Sequence, residues 1–123
     1  MFEINIKGTE YQFRFGLGFV REIDKTAKMK DETGQEHNAG LQYAVAALMD
    51  EDMIKVVDIL DIANKTEKPR VTRNALDEYI EDENTDTSRL CEEILDFFKR
   101  GNATKKKTEA VIEIVEKAKE EQA

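Results

Sequence analysis

The amino-acid sequence predicts an α+β fold that is mainly α, in which an N-terminal β-hairpin packs on a bundle of about five to six helices. Apolar and polar residues alternate over residues 2–15, as they do in half-buried strands. Beyond residue 18, apolar residues recur at the three- and four-residue spacing of amphipathic helices. The chain has 123 residues, of which 40% are hydrophobic, so it is long enough to bury one core.

The predicted hairpin has a turn signal between its two strands. Gly8-Thr9 offers a two-residue type II′ turn, with glycine at the first central position. This turn sets a register in which six apolar side chains share one face. That face must pack on helices, because an isolated hairpin is only marginally stable. The predicted pairs are Ile6 with Tyr11, Ile4 with Phe13 and Phe2 with Phe15.

Six helices account for the apolar residues that follow the hairpin. Asp50-Glu51-Asp52 suits a helix start, because carboxylates cap free N–H groups there. Thr72 is predicted to cap the fourth helix, and Gly101 is predicted to stop the fifth as a C′ glycine does. The helices are predicted over about 18–30, 41–49, 52–64, a short segment after Thr72, 87–100 and 104–120, with a polar loop over 31–40.

The predicted domain organisation is a single globular domain over 1–103, formed by the hairpin 2–15 and its helices, followed by a C-terminal helical tail over 104–123. Gly101-Asn102 permits a hinge between the two parts. The tail has a narrow apolar stripe surrounded by charges, so it needs a surface that stabilises it. We predict that this surface belongs to a neighbour or a partner rather than to its own core. The predicted partner-binding residues are Val111, Ile114, Val115 and Ala118.

Charge limits the kinds of partner that this chain can bind. It carries 19 Lys and Arg against 27 Asp and Glu, a net charge of −8. Residues 31–100 hold the excess, with 18 acidic and eight basic side chains. Such a segment repels nucleic acid phosphates and anionic membranes. We therefore expect no nucleic acid and no membrane among the partners, and favour a basic protein partner or simple solubility.

The sequence also predicts a cytoplasmic location. The alternating N-terminal residues lack the long apolar segment of a signal peptide. No run approaches the roughly 18–20 apolar residues that a membrane span requires. Cys91 is the only cysteine, so no intramolecular disulfide can form, which fits a reducing compartment.

No residue pattern predicts catalysis or a cofactor. His37 is the only histidine and lacks the companions of a zinc site or a catalytic triad. Cys91 lies on or beside the apolar stripe of the fifth helix, which favours a buried structural thiol. Gly16-x-Gly18 lacks the third glycine of a dinucleotide fingerprint, because Arg21 stands there. We therefore predict that the protein is not an enzyme.

One segment comes close to a calcium-binding loop. Asp82, Asn84, Asp86 and Glu93 occupy the first, third, fifth and twelfth positions of an EF-hand pattern between two predicted helices. Thr87, however, replaces the glycine that permits the sharp turn of that loop. Asp86 also suits an ordinary N-cap of the fifth helix. We predict that the chain requires no metal.

The resemblance to a known family extends over most of residues 1–107. The segments that carry it are MFEINIKGTEYQFRFGLGFVREIDK, GLQYAVAALMDEDMIKVVDILDIANK, DEYIED and LCEEILDFFKRGNATKK. In the order of its elements, its length and its acidity, the chain resembles the tail assembly chaperones of long-tailed bacteriophages and prophages of Gram-positive hosts.

The resemblance implies a protein that acts in the bacterial host cytoplasm and is absent from the mature virion. Its implied partners are the tape measure protein, which it keeps soluble, and the tail tube protein, whose polymerisation around the tape measure it promotes. We also expect a homo-oligomer, a ring or spiral, because repeated subunits gain avidity for a long partner. Two alternatives remain open, a small helical adaptor or regulator of the antitoxin type and a small calcium- or ligand-binding module.

Overall fold

The computed structural model describes residues 1–122 and confirms the predicted α+β class, with helices predominating. Over these residues the chain forms six helices and two separate antiparallel hairpins. The elements in chain order are β1 (Phe2–Ile6), β2 (Thr9–Phe13), α1 (Leu17–Asp24), β3 (Lys28–Lys30), β4 (Glu36–Asn38), α2 (Gly40–Asp50), α3 (Met53–Asn64), α4 (Arg73–Glu81), α5 (Thr87–Arg100) and α6 (Lys105–Gln122).

The first hairpin is present, but its register differs from the predicted one by two residues. Phe2 pairs with Phe13, whereas the predicted partner was Phe15. The turn residues are Lys7 and Gly8, both at positive φ (50° and 86°), as a type I′ turn requires. Gly8 also donates its N–H to Asn5 Oδ1 at 3.0 Å. A shift of two residues keeps every side chain on its predicted face, so the apolar face remains correct.

A second hairpin stands where the sequence predicted the end of a helix and a polar loop. Helix α1 ends at Asp24, and β3 pairs with β4 with Met29 opposite His37. Asp31 closes the turn, because its Oδ1 accepts the Thr33 hydroxyl at 2.6 Å and the Gln35 N–H at 3.0 Å. The Thr33 hydroxyl and the His37 ring together lower the pKa of Asp31 to about 2.

Helix α2 lies at the centre of the helical body and contacts α1, α3, α5 and α6. At its first residue, Gly40, an added Cβ would lie only 1.6 Å from the carbonyl oxygen of Ile23, so only glycine permits this close approach to α1. The largest fully buried side chains of the core are Phe13, Phe98, Ile23, Leu41, Leu48, Ile59, Leu60, Leu76, Ile94, Val45, Val56 and Val71.

Local signals place the starts of three helices. Asp52, Thr72 and Asp86 each accept a backbone N–H three residues further on and so cap α3, α4 and α5. Helix α5 ends at Arg100, before the predicted stop at Gly101. Gly101 itself is extended, with φ −73° and ψ 135°, so it does not adopt the left-handed conformation of the predicted C′ glycine. An added Cβ there would lie 3.0 Å from Thr104 Oγ1, which is a tight contact.

All six phenylalanines of the chain form one cluster that joins the first hairpin to the helices. Phe15 lies beyond β2 and its ring is 5.2 Å from those of Phe19 on α1 and Phe98 on α5. Phe2 contacts Phe97 in an edge-on arrangement at 5.4 Å. Aromatic rings at these separations add attraction to the burial of their surface. The remaining pairs are Phe2 with Phe13 and Phe15, Phe15 with Phe97, and Phe19 with Phe98.

Candidate protein-binding surfaces

The C-terminal helix α6 packs on its own chain over its first half. It contacts α2 and α5, and Thr104 and Thr108 are buried there. The Thr104 hydroxyl donates to the Phe98 carbonyl at 2.6 Å, and the Thr108 hydroxyl donates to the Thr104 carbonyl at 2.8 Å. The expectation that this segment docks away from its own core is therefore wrong for its first half. The inner face of the helix therefore begins with the buried hydroxyls of Thr104 and Thr108. A search for apolar residues at helical spacing does not detect them, because threonine is polar.

The four predicted partner-binding residues share one face of α6 but differ in their exposure. Val111 and Val115 are half-buried, and Ile112 rather than Ile114 continues the inner face. Ile114 is 67% exposed, and Ala118, one helical turn further on, is exposed as well. The second half of α6 thus presents a short apolar face to solvent. Partner binding by Val111, Ile114, Val115 and Ala118 stays a prediction.

The four residues of the calcium-like pattern line one open groove of about 400 Å³ between the first hairpin, α4 and α5. Protein donors already engage three of them. Asp82 Oδ1 accepts the Asn84 N–H at 2.9 Å, Asp86 caps α5, and Glu93 pairs with Arg89 at 2.9 Å. Within residues 1–122, no group of three or more His, Cys, Asp or Glu side chains is placed to hold a metal ion.

The other candidate residues have structural surroundings. His37 Nε2 lies 2.6 Å from Asp31 Oδ2 at the exposed turn of the second hairpin. Cys91 is buried in α5, and burial, together with the Glu51 carboxylate, raises the pKa of its thiol to about 11. A thiol in this state is a poor nucleophile at neutral pH. Gly16 and Gly18 mark the start of α1, where Gly16 is the N-cap residue.

A feature that the sequence did not predict is a pair of adjoining depressions on the side of the molecule formed by Met1, the β2–α1 connection and the end of α5. Their volumes are about 760 and 560 Å³, and they share Arg14 and Gly16. We call the combined surface the arginine groove. Apart from Arg14, the groove is lined by Met1, Leu17, Phe97, Arg21 and Arg100, among others. These residues are far apart in sequence, so no local motif could have indicated the groove.

These surfaces and the fold define a small, mainly helical protein whose exposed features suit the binding of other proteins. A family model described as "Phage tail assembly chaperone protein, TAC" matches residues 3–113. The chain belongs to this family and is a chaperone of phage tail assembly. No curated protein and no solved structure matches it. Within residues 1–122, no helix combines the length and the apolar character that crossing a bilayer requires.

Proposed function

We propose that the protein binds the tape measure protein in the bacterial host cytoplasm, keeps it soluble, promotes polymerisation of the tail tube protein around it and is absent from the mature virion. The family gives the general role in tail assembly. The observation that carries the specific proposal is the exposed apolar face on the second half of α6, where Ile114 is 67% exposed. This face extends from a folded body to which the first half of the helix is attached by its contacts with α2 and α5.

A long helical client is the partner that this face suits best. Ile114 and Ala118 lie one turn apart, so a client helix can pack along them as amphipathic helices pack in grooves. A long tape measure exposes apolar helical surface, which aggregates unless it is covered. The chaperone's net charge of −8 then keeps the complex soluble.

Family membership favours the chaperone over the two alternatives. An antitoxin-like adaptor has no support from the family match over residues 3–113. A calcium-binding module has little support from the groove geometry, because Asp86 and Glu93 are engaged by a backbone N–H and by Arg89. We retain the tape measure and tail tube proteins as the proposed partners.

The proposal is tested by co-expressing the chain with the tape measure protein of the same phage and measuring how much tape measure remains in the soluble fraction. We expect the Ile114→Glu variant to reduce that soluble fraction severalfold, because a charge then faces the apolar client surface. The matched control is Ile54→Glu on α3, where the isoleucine is 82% exposed. Both side chains are exposed, so neither change should alter the fold.

If the face on α6 is the client surface, Ile114→Glu lowers the amount of soluble tape measure protein and Ile54→Glu leaves it unchanged. Unchanged solubility with Ile114→Glu, together with loss of solubility with Ile54→Glu, would move the client surface to α3. A tape measure protein that stays equally soluble without the chaperone would contradict the proposed function itself. Circular dichroism of both variants verifies that each remains folded.

A further inference from the structure

We propose that the arginine groove is a second docking surface, distinct from the face on α6, and that it takes an acidic, amphipathic segment of another protein. Two independent properties of the groove support this. It collects the arginines that have no ion pair with any carboxylate of residues 1–122, and it exposes large apolar side chains between them. The proposal does not depend on which client α6 binds.

The arginines of the chain divide into two sets. Arg70, Arg73 and Arg89 each pair with a carboxylate of the same chain, at 2.6–3.2 Å. Within residues 1–122, no carboxylate lies in ion-pair range of the other three arginines. Those three are Arg14, Arg21 and Arg100, and all of them line the groove. The chain as a whole has a net charge of −8, but these three unpaired arginines lie on one surface and make it locally positive. Such a surface attracts a negatively charged partner.

The carboxylate content of the groove strengthens this argument. Glu22 is the only acidic residue among the described residues that line it. Its two oxygens already pair with Lys25 at 3.7 Å and Lys65 at 3.5 Å. Among the described residues, the groove therefore holds no unpaired carboxylate for the guanidinium groups, and an acidic partner can supply one.

Apolar side chains lie between the charges. Leu17 is 62% exposed and Met1 is 59% exposed, which makes them two of the six large hydrophobic residues that the described chain leaves exposed. Phe97 is half-buried in the groove wall and carries the Arg100 guanidinium 4.6 Å above its ring centre. This contact, with a hydrogen bond from Arg100 Nε to the Asp96 carbonyl at 3.3 Å, orients Arg100 before any partner binds.

An acidic, amphipathic peptide meets both demands at once. Its Asp and Glu side chains can form bidentate pairs with arginine, while its apolar residues cover Leu17 and Met1. Nucleic acid suits the arginines but is repelled by the −8 charge of the whole chain. A second copy offers carboxylates too, but it brings a net charge of −8 towards a chain of the same charge, so its approach is opposed more strongly than that of a short acidic segment. A separate acidic protein segment is therefore the occupant that the groove fits.

The probe is a fluorescein-labelled peptide of about 18 residues, long enough to form a helix on binding, with leucines at three- and four-residue spacing and glutamates between them. Two control peptides replace every glutamate by lysine, or keep the composition and spread the leucines around the helix. Fluorescence anisotropy with the full chain should show binding of the first peptide only. The affinity should fall as salt rises, because exposed charges are screened.

Variants of the chain locate the site. We expect the double change Arg14→Glu and Arg21→Glu to weaken binding at least tenfold, and Leu17→Ser to weaken it severalfold. The matched charge control is the double change Lys28→Glu and Lys30→Glu on β3, where both lysines are exposed and outside the groove, and Ile54→Ser is the matched apolar control. Both controls should change the affinity by less than about twofold, since surface changes away from a site have small effects. Ile114→Glu should leave peptide binding intact, which separates this surface from the one on α6.

Several results would overturn the proposal. Equal binding of the lysine peptide, or no binding of the glutamate peptide up to millimolar concentration, would show that the groove does not bind an acidic segment. Equal loss of binding with the double change Lys28→Glu and Lys30→Glu would show that the effect comes from the overall charge of the chain and not from the groove. Tighter binding of a DNA oligonucleotide to the same arginines would make nucleic acid the occupant. Loss of self-association in the double arginine variant, without a change in peptide binding, would make it a second copy.

Discussion

Asn64 is a single polar residue through which three parts of the chain are connected. It is fully buried at the end of α3. Its Nδ2 donates to the Gln12 carbonyl in the hairpin at 2.9 Å and to the Pro69 carbonyl at 3.2 Å. Its Oδ1 accepts the Val71 N–H at 2.7 Å. The side chain therefore fixes both the hairpin and the loop before α4 to the end of α3.

Replacing Asn64 by alanine should lower the free energy of unfolding by about 2–3 kcal/mol, because buried N–H and C=O groups lose their partners. Urea denaturation followed by circular dichroism measures the change. The control is Asn74→Ala on the exposed face of α4, where the side chain makes only a 3.3 Å contact with Glu78. That control should cost less than about 0.5 kcal/mol. Equal losses in the two variants would show that the Asn64 contacts do not stabilise the fold.

The predictability of single residues depends on how far away their partners lie. The capping residues Asp52 and Thr72 were predicted correctly, because each acts on an N–H three residues further along the chain. Asn64 was not predicted, because its partner Gln12 lies in the first hairpin, 52 residues away in sequence. Thr104 and Thr108 were missed for a related reason: they are buried although their side chains are polar.

At the scale of elements, the spacing of apolar residues along the chain predicted each strand or helix that has a buried face. The first hairpin and all six helices have such a face, and the prediction placed them all, with α1 too long. The second hairpin has none, since all six residues of β3 and β4 are exposed. Polar side chains at the Asp31 turn define it instead. The register of the first hairpin was wrong by two residues, because alternation determines a face and only the turn determines the pairing.

Helix α6 allows the predicted domain boundary at 103/104 to be tested by truncation. We expect a chain that ends at Val115 to keep nearly the full melting temperature, because residues 116–122 are exposed. A chain that ends at Ala103 should melt many degrees lower. It loses the Thr104 bond to the Phe98 carbonyl and uncovers the surface of α2 and α5. Thermal unfolding by circular dichroism distinguishes the two, and equal melting temperatures would place α6 outside the folded domain.

At the scale of the whole molecule, composition predicted the net charge but not its arrangement. Sequence counts show an acidic middle segment, and they suggest one repulsive surface. In the fold, internal ion pairs engage Arg70, Arg73 and Arg89, while Arg14 and Arg21 both line the groove and pair with no carboxylate of the described residues. A net charge sums over the chain, whereas binding depends on which charges are left unpaired on one surface. The candidate site could therefore not be found from the sequence.

The exposed apolar residues of the whole molecule lead to a prediction of self-association. Leu17, Ile54 and Ile114 lie on three different helices, α1, α3 and α6, and each is more than half exposed. A contact that joins unlike faces of two copies repeats from copy to copy, so it closes into a ring or continues as a spiral. The net charge of −8 opposes such contacts. Association should therefore rise with both protein concentration and salt, because salt screens the repulsion more than it affects apolar contacts.

Sedimentation velocity from low to high micromolar concentration, at low and at high salt, measures this association. We expect the weight-average sedimentation coefficient to increase with concentration, and to increase further at high salt. Ile54→Glu and Ile114→Glu, tested separately, should identify which face takes part, because a charge introduced at a contact opposes it and one introduced elsewhere does not. A strict monomer under every condition would contradict the predicted self-association, and any ordered array of subunits would then depend on the tape measure protein. Repeated copies would then line up on the tape measure solely through their separate contacts with it.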